Sequence, residues 1–360
     1  MPEPNRNSRQ KEFVNSFYRI FRQAHRISRK LVAEHIRPSD GYLRELLQYA
    51  LRNQTTSEYP FVLQYSFYAR KGDFEKAARI AASVHLLQSS TLITDDVFDF
   101  ADERYHQPAI HRRYDVSHAI IAAELFQSIA METMSAELQR PIFHNQVEVL
   151  QLFHKITKDL YIGQHLDVFH TANLEMTLVE YRRIIELGAG LFFENLARAG
   201  ALLANKPKVQ VESLAAFGYH YGMGLFITDD VADIARDETV TGKPFTPDLQ
   251  ARRMRLPIIV ALQIGDKEDS RWLKKFLRGK DNANEVLREA AARIKKTGAL
   301  ELCQAVANDY LVRSIGNLEM IKKTPTAIAL MMLAQRLIKH VEMEEARSRV
   351  SVPGVFRVRG

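Results

Sequence analysis

Apolar residues along this chain recur every three or four positions, and strand-like alternation is hard to find. Phe13, Phe17, Ile20 and Phe21, and later Leu43, Leu46, Leu47, Ala50 and Leu51, each line one face of a 3.6-residue turn. Pro38, Ser39, Asp40 and Gly41 interrupt the pattern, so residues 11–53 are predicted to form two helices joined by a turn. Lys71-Gly72-Asp73 is a second break, and Asp73 is placed to cap a long helix from Phe74 to about Phe100. The interior of that helix is small and apolar: Ala77, Ala78, Ile80, Ala81, Ala82, Val84, Leu86 and Leu87. After a loop containing Pro108, helices are predicted over 115–138, 142–171, 178–204, 208–235, 255–265, 283–297, 300–320 and 325–346. No Pro-, Gly- or Ser-rich linker divides the chain, so one all-α domain is expected over 1–346. A basic tail at 347–360, with Pro353, Gly354, Arg357 and Arg359, is expected to fray into solvent.

Composition narrows the class. Of 360 residues, 46% are hydrophobic and 26% charged, as in ordinary soluble globular proteins. Cys303 is the only cysteine, which rules out an intramolecular disulfide and suits a reducing compartment. The polar start, Met1 to Glu12, offers no apolar stretch for a signal peptide, and no run of about 18 apolar residues predicts a membrane span. A cytoplasmic protein is expected. The net charge of +7 is scattered and no nucleic-acid motif accompanies it, so no nucleic-acid partner is expected.

Chemistry enters with a repeated acidic phrase. Ile93-Thr94-Asp95-Asp96-Val97-Phe98-Asp99 returns as Ile227-Thr228-Asp229-Asp230-Val231-Ala232-Asp233, each time at the end of an apolar-periodic stretch. Positions four apart share a helix face, so Asp95 and Asp99 look the same way, as do Asp229 and Asp233. Such pairs repel by roughly 0.2–0.5 kcal/mol on an exposed helix, and the macrodipole at a C-terminus adds to the cost. A local rule broken twice in the same way points to cations that offset it. Mg2+ prefers oxygen ligands shared among one or two carboxylates, waters and substrate phosphates. Two acidic helix ends across a cavity would hold such ions against a diphosphate. Arg104, Lys243 in Gly242-Lys243-Pro244, and Arg253 stand beside the motifs as cationic contacts for it. No zinc-type cluster, Gly-rich phosphate loop or nucleophile elbow competes.

Asp95-Asp96-x-x-Asp99, with Arg104, Pro108 and His111 after it, resembles the first aspartate-rich motif of the trans-isoprenyl diphosphate synthases. Asp229-Asp230-x-x-Asp233, followed by Gly242-Lys243 and Asp248-Leu249, resembles their second, and Gly163-Gln164-x-x-Asp167 resembles the helix between. The resemblance covers about residues 40 to 260. It implies the all-α isoprenoid synthase fold, a single helical bundle around a central cavity, usually a homodimer. It also implies that all six aspartates bind Mg2+, with three ions expected and Mn2+ as an alternative. Arg104, Lys243 and Arg253 would hold an allylic isoprenyl diphosphate, and Asp95, Asp99, Asp229 and Arg104 would be catalytic.

The sequence departs from that family where elongating members bind isopentenyl diphosphate. Matched without gaps on Pro60, Thr56 and Tyr59 replace a lysine and an arginine; Gln88 replaces a histidine and Tyr105 the second arginine after the motif. Each lost charge-assisted contact forfeits about 1.5–3 kcal/mol. Leu187-Gly188 also replaces a Lys-Thr pair, and Leu225-Phe226 a Phe-Gln pair. The reading preferred from sequence is therefore a class I terpene synthase acting on a C15 or C20 diphosphate by cyclisation or rearrangement. Its pocket would be lined by Leu87, Ser90, Thr91, Phe98, Gln164, Phe192 and Phe226. The alternatives are a chain-elongating prenyltransferase, prenyl transfer to another acceptor, and a non-catalytic regulatory subunit of a synthase.

Overall fold

A computed structural model describes residues 6–54, 57–68, 73–235 and 247–338. The first helices are α1 (Arg6–His35), α2 (Gly41–Ala50), α3 (Glu58–Phe67), α4 (Asp73–Lys76) and α5 (Ala78–Phe98). A two-stranded antiparallel hairpin, β1 (Glu103–Arg104) and β2 (Gln107–Pro108), leads into α6 (Ile110–Arg113). Next come α7 (Val116–Leu138), α8 (Gln146–Phe169) and α9 (Leu178–Ile185), then a π-helical turn at Glu186–Gly190. The rest are α10 (Leu191–Leu203), α11 (Lys208–Ala235), α12 (Pro247–Gln250), α13 (Leu256–Ile264), α14 (Lys267–Arg278), α15 (Asn284–Lys296), α16 (Ala299–Gly316) and α17 (Pro325–Gln335). The chain is all-α, as its periodicity predicts.

Local chemistry sets the ends. Asp115 accepts the His118 backbone N–H at 2.8 Å to open α7. Thr177 and Glu180 form a reciprocal capping box at α9, satisfying two otherwise orphaned donors. The helix expected over 178–204 is interrupted because Gly188 and Gly190 loosen its middle, and the backbone there widens into the π turn. The helix expected from Phe74 breaks once, at Ala77, between α4 and α5. α14 has no counterpart among the predicted helices. Residues 339–346, the end of the last predicted helix, and the tail at 347–360 lie outside the described residues.

The chain forms two compact units: residues 1–155, 193–215 and 318–332 make the first, and residues 156–192, 216–317 and 333–360 the second. In the first, α5 packs against α1, α3 and α7. Small buried residues on both helices, Ala81 and Ala82 on α5 and Ala119, Ala122 and Ala123 on α7, let α5 and α7 approach closely. Gly200 of α10 belongs to the same unit, where a Cβ would sit 2.4 Å from the Leu63 carbonyl of α3. In the second unit α13 packs against α9, α14 and α16. Its core gathers Ile227, Val231 and Ile234 of α11 with Ile258, Phe276, Ile294 and the free thiol of Cys303.

Candidate active site

The first acidic motif ends α5 in the first unit. Asp99 caps that helix with its N–H on the Asp95 carbonyl at 2.8 Å, so the two side chains leave the helix one turn apart. Both are half-buried, while Asp96 between them is buried at 4% exposure. The chain then turns back through the hairpin, whose loop residues Tyr105 and His106 both have positive φ, 53° and 59°. Two left-handed residues give the tight turn that matches strand twist, at about 1–2 kcal/mol each for a side chain with a Cβ. Tyr49 Oη donates to the Pro108 carbonyl at 2.6 Å, and Gln107 Nε2 to the Tyr49 carbonyl at 3.2 Å and the Arg52 carbonyl at 3.4 Å, which hold the hairpin.

That turn swings Arg104 onto Asp96, with Nε at 2.9 Å and Nη2 at 2.5 Å from the same carboxylate oxygen. Burial raises the Asp96 pKa and Arg104 opposes it; the Arg104 pKa rises because Asp96 outweighs its own desolvation. A cavity of about 20 Å³, room for one water, lies beside this pair and is bordered by Gln54 and Ser89.

The second motif, near the end of α11 in the second unit, repeats the arrangement. Asp229 is exposed and Asp233 half-buried, whereas Asp230 is 3% exposed. Its Oδ2 accepts the Tyr181 hydroxyl at 2.7 Å and the Leu256 backbone N–H at 3.2 Å. Burial pushes the Asp230 pKa up to about 7, against the pull of Arg255. Arg255, at the start of α13, joins carboxylates from three elements. It grips Asp248 of α12 through Nε at 3.0 Å and Nη2 at 2.9 Å, donates to Asp167 of α8 at 2.8 Å, and lies 3.7 Å from Asp230. Burial alone would raise the Asp248 pKa, yet Arg255 holds it below the usual carboxylate range.

Arg255 and Tyr181 were not singled out by sequence. The only trace of Arg255 is its place in the basic run Arg252-Arg253-Met254-Arg255. Arg253, expected at the diphosphate, is 2% exposed, donates to Thr171 Oγ1 at 2.9 Å and lies 3.7 Å from Asp167. Lys243 lies outside the described residues.

The expected pocket residues fall as follows. In the first unit Leu87 and Ser90 are buried, Thr91 is half-buried with its hydroxyl on the Gln88 carbonyl at 2.8 Å, and Phe98 is exposed. In the second, Phe192 is buried, Gln164 half-buried, and Phe226 packs partly buried on the core. Leu187-Gly188 falls in the π turn, where a Cβ on Gly188 would meet nothing within 4 Å.

Two of the altered acceptor positions, Gln88 and Tyr59, make protein contacts. Ser57 Oγ donates to Gln88 Oε1 at 2.5 Å, and the Tyr59 and Phe193 rings lie 4.5 Å apart. Thr56 lies outside the described residues.

Among the described residues no three His, Cys, Asp or Glu side chains gather closely enough to hold a metal ion by themselves. In each motif the middle carboxylate is buried and the outer two are more exposed. Two hard oxygen donors per cluster suit Mg2+, which takes its other ligands from water and phosphate.

Helices, hairpin and paired motifs define the all-α isoprenoid synthase fold. The family model described as polyprenyl synthetase matches residues 41–294, and the chain belongs to the polyprenyl synthetase family. A short chain isoprenyl diphosphate synthase from Methanocaldococcus jannaschii is 29% identical over 236 residues, covering 66% of this chain and 71% of the relative. A geranylgeranyl diphosphate synthase from Methanosarcina mazei is 28% identical over 259 residues, 72% of this chain and 77% of that one. Among solved structures, geranylgeranyl pyrophosphate synthetase from Pyrococcus horikoshii superposes with a TM-score of 0.80 at 24% identity, over 92% of this chain and 99% of that one. These names agree with the prenyl diphosphate synthase alternative better than with the cyclase reading preferred from sequence.

Proposed function

We propose that the chain is an Mg2+-dependent prenyltransferase that ionises an allylic isoprenyl diphosphate and joins its prenyl group to isopentenyl diphosphate. The observation that carries this reading is the twinned arrangement of a buried middle carboxylate between two more exposed ones. Family membership and the names of the relatives support it.

In this reading Asp95 and Asp99 of one motif, and Asp229 and Asp233 of the other, are the metal ligands. Asp96 and Asp230 position them, through Arg104 in one motif and through Tyr181 and Arg255 in the other. When bound, Mg2+ neutralises charge that builds on the departing diphosphate. The allylic C–O bond breaks with its electron pair leaving on oxygen, the isopentenyl alkene forms the new C–C bond, and a proton is lost. Arg104 and Lys243 serve as contacts for the leaving diphosphate, and Arg253 is held by Thr171 and Asp167. The substrate is a C15 or C20 chain, and the working form is a homodimer.

One observation favours a second reading, cyclisation. Gln88 is engaged by Ser57 and the Tyr59 ring packs at a tilt against Phe193, where a second diphosphate would need cations. Aromatic rings suit a desolvated carbocation, by about 2 kcal/mol or more.

One assay separates the two. Purified protein with Mg2+ is given C10, C15 and C20 allylic diphosphates, with and without isopentenyl diphosphate, and both hydrocarbons and diphosphates are analysed. Longer diphosphates that form only with isopentenyl diphosphate are expected. Volatile or alcohol products formed without it would replace this reading with the cyclase, and silence relieved by a partner protein would make the chain a regulatory subunit.

A further inference from the structure

α14 breaks a local rule in the opposite sense to the acidic motifs. Lys267, Arg271, Lys274 and Arg278 are all exposed, and at about 100° per residue they fall within about 60° of arc. They form one row about 17 Å long, flanked by Lys275. Like charges three and four positions apart repel, and Lys267 also meets the positive end of the helix dipole.

The row is not relieved from within. The helix's own acids point elsewhere: Asp269 accepts Arg293 at 2.6 Å and Lys296 at 2.9 Å, and Glu268 lies 3.4 Å from Arg293. Among the described residues no carboxylate stands within ion-pair distance of the row's four cations. An open groove along this face is lined by Lys267, Ser270, Arg271, Lys274, Lys275 and Arg278.

We infer that this face of α14 docks on the surface of an anionic phospholipid bilayer. A straight row of long cationic side chains on a helix fixed by its opposite face matches a plane of anionic headgroups. The aromatic residues of the helix are turned away: Phe276 is buried, Trp272 half-buried, and their rings stack 5.8 Å apart. No ring on the row offers the stacking platform that single-stranded nucleic acid uses. No described helix is long and apolar enough to cross a membrane, so attachment through α14 is electrostatic and peripheral. This inference is independent of the reaction proposed above.

The test is flotation of the full chain with vesicles of phosphatidylcholine alone or mixed with phosphatidylserine, at low and high salt. The parent chain is expected to bind only the mixed vesicles, and to release in high salt. Each cation removed should lower partitioning about five-fold, equivalent to ~1 kcal/mol. Arg271→Gln/Lys274→Gln/Arg278→Gln should therefore lose about a hundredfold, with its melting temperature unchanged. Lys30→Gln/Arg313→Gln/Lys323→Gln removes the same charge elsewhere and should keep most of the binding. Equal loss in both variants, no binding by the parent, or row-dependent binding to RNA or an acidic protein but not to vesicles overturns the inference.

Discussion

Replacing Asp95 by alanine removes an oxygen donor from the rim of the first motif and leaves the buried Asp96–Arg104 pair untouched. Turnover should fall by about two to three orders of magnitude, the size of effect seen when one preorganised electrostatic contact is lost. The stability loss should be smaller than that at the buried neighbour Asp96. Asp96→Ala should show the reverse emphasis, a stability loss of about 1.5–3 kcal/mol from stranding a half-buried guanidinium. Denaturant melts beside Mg2+-dependent kinetics check both, and equal stability losses in the two variants would reject the division of labour. Arg255 carries a larger structural load, because its side chain is 11% exposed and serves Asp167, Asp248 and Asp230. Arg255→Met leaves these carboxylates without their counter-charge and should cost about 3–5 kcal/mol, read as a lowered denaturant midpoint. A variant within about 1 kcal/mol of the parent would show that Arg253 and Tyr181 suffice.

The junction of α1 and α5 makes the first unit sensitive to acid. His85 of α5 is fully buried, bonded through Nδ1 to Ser28 Oγ of α1 at 2.9 Å, with the His25 ring 5.7 Å away. Burial, reinforced by His25, pulls its pKa from 6.5 down to about 3. Between those values the unfolded chain binds a proton that the folded chain refuses, so stability falls as pH drops from about 6.5 towards 3, by up to ~1.4 kcal/mol per unit. His85→Gln should flatten this acid limb in urea melts run across that range; an unchanged slope would assign it to other groups. None of this was visible in sequence, because His85 sits among apolar neighbours without a motif. Helices with a continuous apolar stripe were legible almost to the residue, as with Val116–Leu138 and Lys208–Ala235. Lys267–Arg278 was missed because its apolar side is only Trp272, Leu273, Phe276 and Leu277 among dense charge. Spacing revealed which aspartates share a face. It could not reveal that Asp96 and Asp230 are withdrawn, since that depends on Arg104 returning through a hairpin and on Tyr181 arriving from 49 positions away.

At the scale of the whole molecule, two helices carry several exposed apolar side chains each. α7 in the first unit exposes Val116, Ile120 and Ile121. The part of α8 in the second unit exposes Tyr161, Ile162, Val168 and Phe169, the last at 68%. Single exposed aliphatics need no explanation, but several along one helix fit the homodimer proposed above. Ile162, His165 and Phe169 recur at helical spacing, so α8 presents a stripe that a second copy can meet in a self-complementary way. A homodimer built on these helices should dissociate when charge is placed in the stripe. Ile162→Asp, or Ile120→Asp on α7, should shift the mass measured by light scattering from two chains to one, with far-ultraviolet helicity retained. The acidic motifs lie on other helices, so Mg2+ binding by the separated chain, measured by calorimetry with a diphosphate present, should persist. A parent chain that is monomeric at every concentration would remove the dimer, and leave the exposed stripe on α8 to another partner.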